Sequence, residues 1–280
     1  MRNISQAQQD PSFDAALKKS NEAADHNEVI YASEKQIRDF YEKGYFVIKG
    51  LFSKEDVQKF SDAFDRLQDE AKKFNETTVH RGSQFVVQGS RIDRIVWMGG
   101  AEPILLQAGE DPRMLTIVSQ ILNHTEFHQL ICQGHYKLPG DTVKFDWHQD
   151  CQHRGIGTAD WNDIDGKGSY VQTMMAIDEV TMENGPVSFV PTPASAGYLG
   201  LDQSPAPEKL FDMESGVPCL MQPGDVAFFS PYSVHGSQPN NSAGRRRVFI
   251  NGFALVGANK KQYPGEGSGR MVELKKNKLI

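Results

Sequence analysis

The spacing of apolar residues changes once along this chain, near residue 127. Ahead of that point the pattern is helical. Ser33-x-x-Gln36 makes a capping box in front of Ile37, Phe40 and Tyr41, and Gly44 supplies a stop, which predicts a short helix. Residues 45–48 are aromatic and β-branched and predict a strand. Ser53 then opens a second helix whose apolar residues Val57, Phe60, Phe64 and Leu67 keep the 3.6 period. Residues 101–124, with Leu105, Leu106, Met114, Ile117, Val118 and Ile121, predict two further short helices.

After residue 127 short alternating or apolar runs follow one another at 127–132, 143–147, 171–177, 187–190, 217–221, 226–229 and 247–255. Pro139-Gly140, Asn184-Gly185-Pro186 and Pro223-Gly224 separate them as turns. Helices first and strands afterwards predict a mainly β fold with N-terminal helices, a β-sandwich or jelly roll. Residues 1–30 are polar and rich in Gln, Asn, Asp and Ala, which predicts a flexible N-terminal arm. No repeat or linker divides the remainder, so 31–280 is expected to be a single domain. A chain of 280 residues exceeds the usual roughly 100–200 per domain, but a β-sandwich can absorb it.

Composition narrows the function classes. Hydrophobic residues at 39% and charged residues at 24% sustain a core and exclude bulk disorder. A net charge of −6 argues against a nucleic-acid partner. The stretch from Arg245 onward is basic, with nine Lys/Arg against two Asp/Glu, and is expected to be a solvated end. Cys132, Cys151 and Cys219 lie far apart without a C-x-x-C pair, which excludes a disulfide or zinc-finger framework and fits a reducing compartment. No secretory signal or membrane-length apolar run occurs, so the expected location is the cytoplasm, with no membrane partner.

The chemistry concentrates around residues 143–150. Period-two alternation puts Val143, Phe145 and Trp147 on one face and Lys144, Asp146, His148 and Asp150 on the other. An H-x-D pair can reach one metal ion, although a strand with a solvated polar face has the same look. His235 stands between an apolar strand and a Gly-Ser turn, where a lone His is ordinarily a hydrogen-bonded structural residue. Together the three make a two-His, one-carboxylate set that leaves positions open for oxygen and a chelating co-substrate, which suits Fe(II). A catalytic zinc of His₂Asp type competes on ligand chemistry alone. Arg245, Arg246 and Arg247 form either a basic strand edge or a source of one guanidinium for a co-substrate carboxylate. Spacing does not choose among them. The polar loop at 152–169 starts just after Asp150, carries Gly155, Gly157, Gly166 and Gly168 as hinges, and is expected to be a mobile lid.

Several segments together resemble the phytanoyl-CoA dioxygenase family, which includes ectoine hydroxylase. They are 33–64, Lys137-Leu-Pro-Gly140, Trp147-His-Gln-Asp150, Asp178-Glu-Val-Thr-Met-Glu-Asn-Gly-Pro186, Val190-Pro191, Pro223-Gly-Asp225 and His235-Gly-Ser237. The resemblance spans residues 33–255. It implies a double-stranded β-helix (a cupin-like jelly roll), with Fe(II), 2-oxoglutarate and O2 as cofactor and co-substrates. His148, Asp150 and His235 match the family's iron ligands. Arg246 matches its 2-oxoglutarate arginine, Ser237 a hydroxyl beside that carboxylate, and Gln133 a residue against the co-substrate. Two departures stand out: Pro191-Thr-Pro-Ala-Ser195 lacks the family's His, and Met174 stands where an aromatic is usual.

The implied activity is hydroxylation, or a related oxidation, of an unactivated C–H bond in a small molecule, with release of succinate and CO2. Asp150 retains the carboxylate that a halogenase would lack. A non-enzymatic metal-binding jelly roll and a zinc hydrolase are the competing readings. Trp161, His153 and Tyr232 are candidates for the substrate wall, with Phe85, His135 and Arg154 as further ones. The sequence itself places no basic patch facing the pocket. Nothing in it calls for more than a monomer or homodimer.

Overall fold

The structure, a computed structural model, describes residues 30–89, 91–203 and 216–275, so the arm expected at 1–30 lies almost wholly outside the described residues. Helix α1 (Glu34–Lys43) begins where Ser33 and Gln36 exchange side-chain and backbone hydrogen bonds, and Gly44 ends it at φ 87°. Strand β1 (Tyr45–Ile48) follows. A second capping box, Ser53 with Asp56, opens α2 (Lys54–Ala71), whose Val57, Phe60, Phe64 and Leu67 are buried as their spacing predicts. The two further helices are α3 (Pro103–Ala108) and α4 (Pro112–Leu122).

Twelve strands complete the fold: β2 (Thr78–His80), β3 (Ser83–Gln88), β4 (Arg91–Val96), β5 (Glu126–Lys137), β6 (Phe145–Gln149), β7 (Tyr170–Ala176), β8 (Val187–Val190), β9 (Val217–Pro218), β10 (Val226–Phe229), β11 (Val234–Ser237), β12 (Arg246–Leu255) and β13 (Arg270–Glu273). The major sheet runs β1-β10-β7-β12-β5-β4-β3-β2, with β13 also on β5, and the minor sheet runs β6-β11-β8-β9. Strands β5 to β12 thus cross between two facing sheets, which is the jelly-roll arrangement. The predicted runs at 187–190 and 226–229 coincide with β8 and β10, whereas β2, β3, β4, β11 and β13 escape the hydrophobic pattern. Each of those five is short or broken by polar residues. The basic end is not simply solvated, because Arg246 and Arg247 are buried and β13 pairs with β5.

Helix α2 covers the outer face of the major sheet. The Phe64 ring lies 5.3 Å from Tyr136 and 6.1 Å from Phe249, and a Cβ at Gly134 would fall 2.6 Å from Phe64. Gly134 is therefore what lets the helix approach. Because side chains alternate, Gly134, Tyr136, Arg247 and Phe249 face the helices. Gln133, His135 and Lys137 on β5, and their antiparallel partners Ile250, Val248 and Arg246 on β12, face the minor sheet. That inner face is where the candidate site lies. Among the described residues no helix is long and apolar enough to cross a membrane.

Candidate active site

Antiparallel pairing of β6 with β11 sets His148 opposite His235, with ring centroids 4.2 Å apart. The register then slips: His235 pairs with His148 but Ser237 pairs with Phe145, so β6 holds one extra residue. This bulge corrects the alternation expected from the sequence. Phe145 joins His148 on the inner face and stacks on His135 at 5.3 Å, while Trp147 packs outside with Leu201 and Val234. Lys144 and Asp146, expected to share the face of His148, pair with each other in solvent.

Asp150 stands one step past β6, in a 3-10 turn spanning Asp150–His153 that is held by Cys151 N–H donating to the Pro231 carbonyl at 3.0 Å. The turn swings its carboxylate back beside the two imidazoles, and one donor atom from each of the three residues lies within 4.8 Å of the others. The Nδ1 atoms of His148 and His235 lie 2.8 Å from the Asp146 carbonyl and 3.0 Å from the Ser233 carbonyl. A carbonyl only accepts, so each Nδ1 carries the proton and each Nε2 keeps its lone pair for a metal. Burial pushes the His235 imidazole down to about 4, which keeps it neutral. Burial alone would raise the Asp150 carboxyl, but Arg154 and the imidazoles hold it below the usual carboxylate value. Asp150 Oδ2 is buried and accepts no hydrogen bond from the described residues, an acceptor that a cation would satisfy. Two neutral nitrogens and one carboxylate fit Fe(II) at an open site.

Arg246 projects from β12 into the same space. Its Nη2 donates to the Gly185 carbonyl at 2.6 Å, while its buried Nε has no partner among the described residues. Burial lowers its guanidinium to about 10, with Asp178 opposing the shift. Lys137, opposite Arg246 in register, donates to Ser237 Oγ at 2.8 Å and to the Gln238 carbonyl. Arg246, Lys137 and Ser237 thus converge on a seat that suits a carboxylate. Gln133 lies farther along the same face of β5, half-buried.

The substrate-wall candidates separate. His153 is exposed at the rim, its ring 5.7 Å from that of His148. Tyr232 donates its hydroxyl to Asp163 at 2.9 Å and packs 6.4 Å from Trp161, so both rings anchor the 152–169 loop. Phe85 faces the helices, 5.1 Å from Phe74, away from the site. The loop is not loosely held. Asp163 Oδ1 accepts from the N–H groups of Lys167 and Gly168, Asp165 Oδ1 accepts from Ser169 N–H, and Asn162 N–H donates to the Ala258 carbonyl. Carboxylates replace the apolar ties that the sequence lacked.

Four residues gain importance from the structure: Lys137, His135, Arg154 and Arg94. Arg154, a substrate-wall candidate, is buried 3.8 Å from Asp150 Oδ1. His135 is stacked against Phe145, with its Nε2 buried. Lys137 had a faint signal, since it alternates with Gln133 and His135 ahead of a Pro-Gly turn. Arg94 had none.

The model of the phytanoyl-CoA dioxygenase (PhyH) family matches residues 40–248. A curated relative, the methylphosphonate hydroxylase of Gimesia maris, is 36% identical over 81 residues, a stretch covering 29% of this chain and 31% of that protein. The match thus spans about a third of that relative's length. Among solved structures, EctD from S. alaskensis with 2-oxoglutarate and 5-hydroxyectoine aligns with a TM-score of 0.66 at 19% identity, covering 90% of this chain and 88% of that one. The epimerase SnoN, in complex with Fe3+, α-ketoglutarate and nogalamycin RO, gives 0.63 at 16% identity over 86% of this chain and 98% of its own. HygX from Streptomyces hygroscopicus, with nickel and 2-oxoglutarate bound, gives 0.60 at 17% identity over 85% and 97%. These likenesses establish the shared fold. The family match covers well over half of the sequence, and the chain belongs to the phytanoyl-CoA dioxygenase family.

Proposed function

We propose that this protein is an Fe(II)- and 2-oxoglutarate-dependent dioxygenase that hydroxylates an unactivated C–H bond of a small molecule. The observation that carries the reading is the pairing of two built sites on one inner face. The His148–Asp150–His235 set would hold the metal, and the buried, partly unpartnered Arg246 beside Lys137 and Ser237 would hold a carboxylate. A zinc hydrolase has no use for the second site. The Gimesia maris relative is named for hydroxylation, and that reaction type is what we carry over from it.

His148 and His235 would supply Nε2 lone pairs and Asp150 an oxygen, each fixed in advance by the carbonyl bonds and the turn described above. Arg246 would fork onto the far carboxylate of 2-oxoglutarate, with the Ser237 hydroxyl and Lys137 ammonium completing the seat. When bound, iron supplies the oxidising chemistry by which a C–H bond, O2 and 2-oxoglutarate become C–OH, succinate and CO2. Phe145, Phe189 and Phe229 line the histidines, with Phe229 5.0 Å and Phe189 5.7 Å from the His235 ring, and exclude water from that side. No side chain need act as acid or base.

The test is succinate formation from 2-oxoglutarate by purified protein with Fe(II) in air, and its loss when Fe(II) is withheld or chelated. A protein that binds iron yet never forms succinate under any substrate would overturn the reading.

A further inference from the structure

We propose that the substrate carries an oxyanion head group, phosphonate or carboxylate, and that Arg94 binds it. The proposal deepens the oxygenase reading and rests on it. Arg94 lies on β4 opposite His135 of β5, and antiparallel partners share a face. The next pair, Ile95 with Gly134, faces Phe64 and the helices, so Arg94 faces the inner space with His135. Arg94 therefore stands on the wall that carries Lys137 and Gln133, two strands from Arg246.

The residue is half-buried, and it has no hydrogen bond or ion pair with the described residues. Other arginines of the fold do not share that condition. Arg91 pairs with Asp93 at 2.9 Å and lies 3.6 Å from Asp141, Arg154 is near Asp150, and Arg247 is clamped by Asp178. A guanidinium on this wall with no acceptor of its own has its fork open to a ligand oxyanion. Beside it, His135 Nε2 is likewise buried without a partner. Arg94, Arg246, Lys137 and Asp150 all act electrostatically on His135, so this ring is near each of them. Two unsatisfied polar groups on one wall, next to the reacting centre, are what a head group would use.

Charge points the same way. A doubly negative 2-oxoglutarate cancels Fe(II), Arg154 offsets Asp150, and Arg91 with Lys137 offsets Asp93 with Asp141. Arg246 and Arg94 are left over; with Lys137 only partly charged near pH 7, the excess is about one to two positive charges, which an oxyanion head group would match. A cationic substrate would add to the excess. The guanidinium fork suits either planar or tetrahedral oxyanions, so the two head groups are separated by experiment.

The probes are methylphosphonate, ethylphosphonate and 2-aminoethylphosphonate, the carboxylates acetate, propionate and β-alanine, and the non-anionic 1-propanol and propylamine. With Fe(II), 2-oxoglutarate and air, at least one oxyanion should raise succinate release about tenfold over the substrate-free rate and gain one oxygen by mass. Stimulation by phosphonates only, or by carboxylates only, assigns the head group. With the best probe, Arg94→Gln should raise its KM about ten- to a hundredfold, the KM for 2-oxoglutarate should move by about threefold at most, and Arg94→Lys should recover part of the loss. Because Arg94 supports no other residue, neither variant should unfold the protein. Succinate release stimulated only by the alcohol or amine, or by none of the probes, overturns the oxyanion proposal while leaving the oxygenase reading standing. A larger effect of Arg94→Gln on 2-oxoglutarate than on the probe overturns it too. Failure to form succinate under any condition removes the oxygenase reading first.

Discussion

Arg246 and Arg247 are consecutive on β12 and point to opposite sides of the major sheet. Arg247 faces α2, where Asp178 takes its Nε and Nη2, Asp65 its Nη1, and Ser61 closes the cage. Arg246 faces the metal set with no carboxylate on it and one buried nitrogen unpartnered. The two differ by one residue of strand parity, and that parity separates a structural arginine from a ligand-seeking one.

Replacing them should therefore have opposite signatures. Arg246→Leu is expected to raise the 2-oxoglutarate requirement by the equivalent of about 2–5 kcal/mol with little change in unfolding midpoint. Arg247→Leu is expected to destabilise the fold by about 3 kcal/mol, the low end for a broken buried pair because Asp178 and Asp65 keep some solvent. Arg245→Leu removes a partly exposed pair with Asp65 and should cost about 0–1 kcal/mol. Urea unfolding and steady-state kinetics on the three variants check this. A 2-oxoglutarate defect confined to Arg247→Leu would put β12 out of register by one.

Strand parity also marks where the sequence was legible. The candidate metal set, whose donor atoms the fold brings within 4.8 Å, could be proposed because H-x-D and a distant His are chemically conspicuous, and Arg246 because it fits a family pattern. What the residues around them do could not be read, since bulges break the period: the extra residue in β6 turns Phe145 inward, and a register shift between Val86 and Val87 accompanies the placing of Arg94. Lys137 and Ser237 lie a hundred positions apart and meet only through sheet topology. The first two helices were legible almost to the residue because capping boxes are local. Long-range pairing is not.

Truncating a proposed metal ligand should silence turnover without unfolding the chain. His148→Ala and His235→Ala are each expected to abolish Fe(II)-dependent succinate formation and to weaken Mn(II) binding by calorimetry. The main core is built from other residues, so both variants should keep a native circular dichroism spectrum. His235→Ala should lose a few degrees more in melting temperature, because its ring packs on Phe189 and Phe229 whereas His148 is only half-buried. Near-normal turnover by either variant would remove that residue from the metal set.

The affinity for 2-oxoglutarate should depend on pH through Lys137. Burial, and next Arg246, push its ammonium down to about 7, with Asp141 opposing. The carboxylate prefers the charged form. Binding strength is therefore fully present below about 7 and is lost as pH rises, approaching about tenfold per unit above that point. Titrating 2-oxoglutarate into anaerobic Fe(II)-loaded protein from pH 6 to 8 reads the slope, the limits lying about one unit either side of the shifted value. Lys137→Met should bind more weakly at the acid end and show a flat profile. An equally steep slope in that variant would assign the proton elsewhere.

The loop after Asp150 should prove stiff where the sequence led one to expect a lid. Its second half is knitted by side-chain carboxylates: Asp163 holds the amides of Lys167 and Gly168 and the Tyr232 hydroxyl, and Asp165 holds the Ser169 amide. Asn162 and Lys260 tie the same stretch to the chain beyond β12, through the carbonyls of Ala258 and Asp160. Residues 155–159 have fewer such ties: Ile156 N–H donates to the Cys151 carbonyl, and Thr158 bonds to Gly155 within its own turn. Protection against hydrogen exchange follows the free energy of local opening, so the amides of Asn162, Lys167, Gly168 and Ser169 should exchange slowly without any ligand, while those of 155, 157 and 159 exchange fast. Asp163→Ala should release the Gly168 amide most, because Asp165 also holds the amides of Lys167 and Ser169. Any closure over the substrate is then confined to the glycine-bordered segment 155–159 beside His153. Rapid exchange across 160–169 in the unaltered, ligand-free protein would restore the whole loop as the moving part.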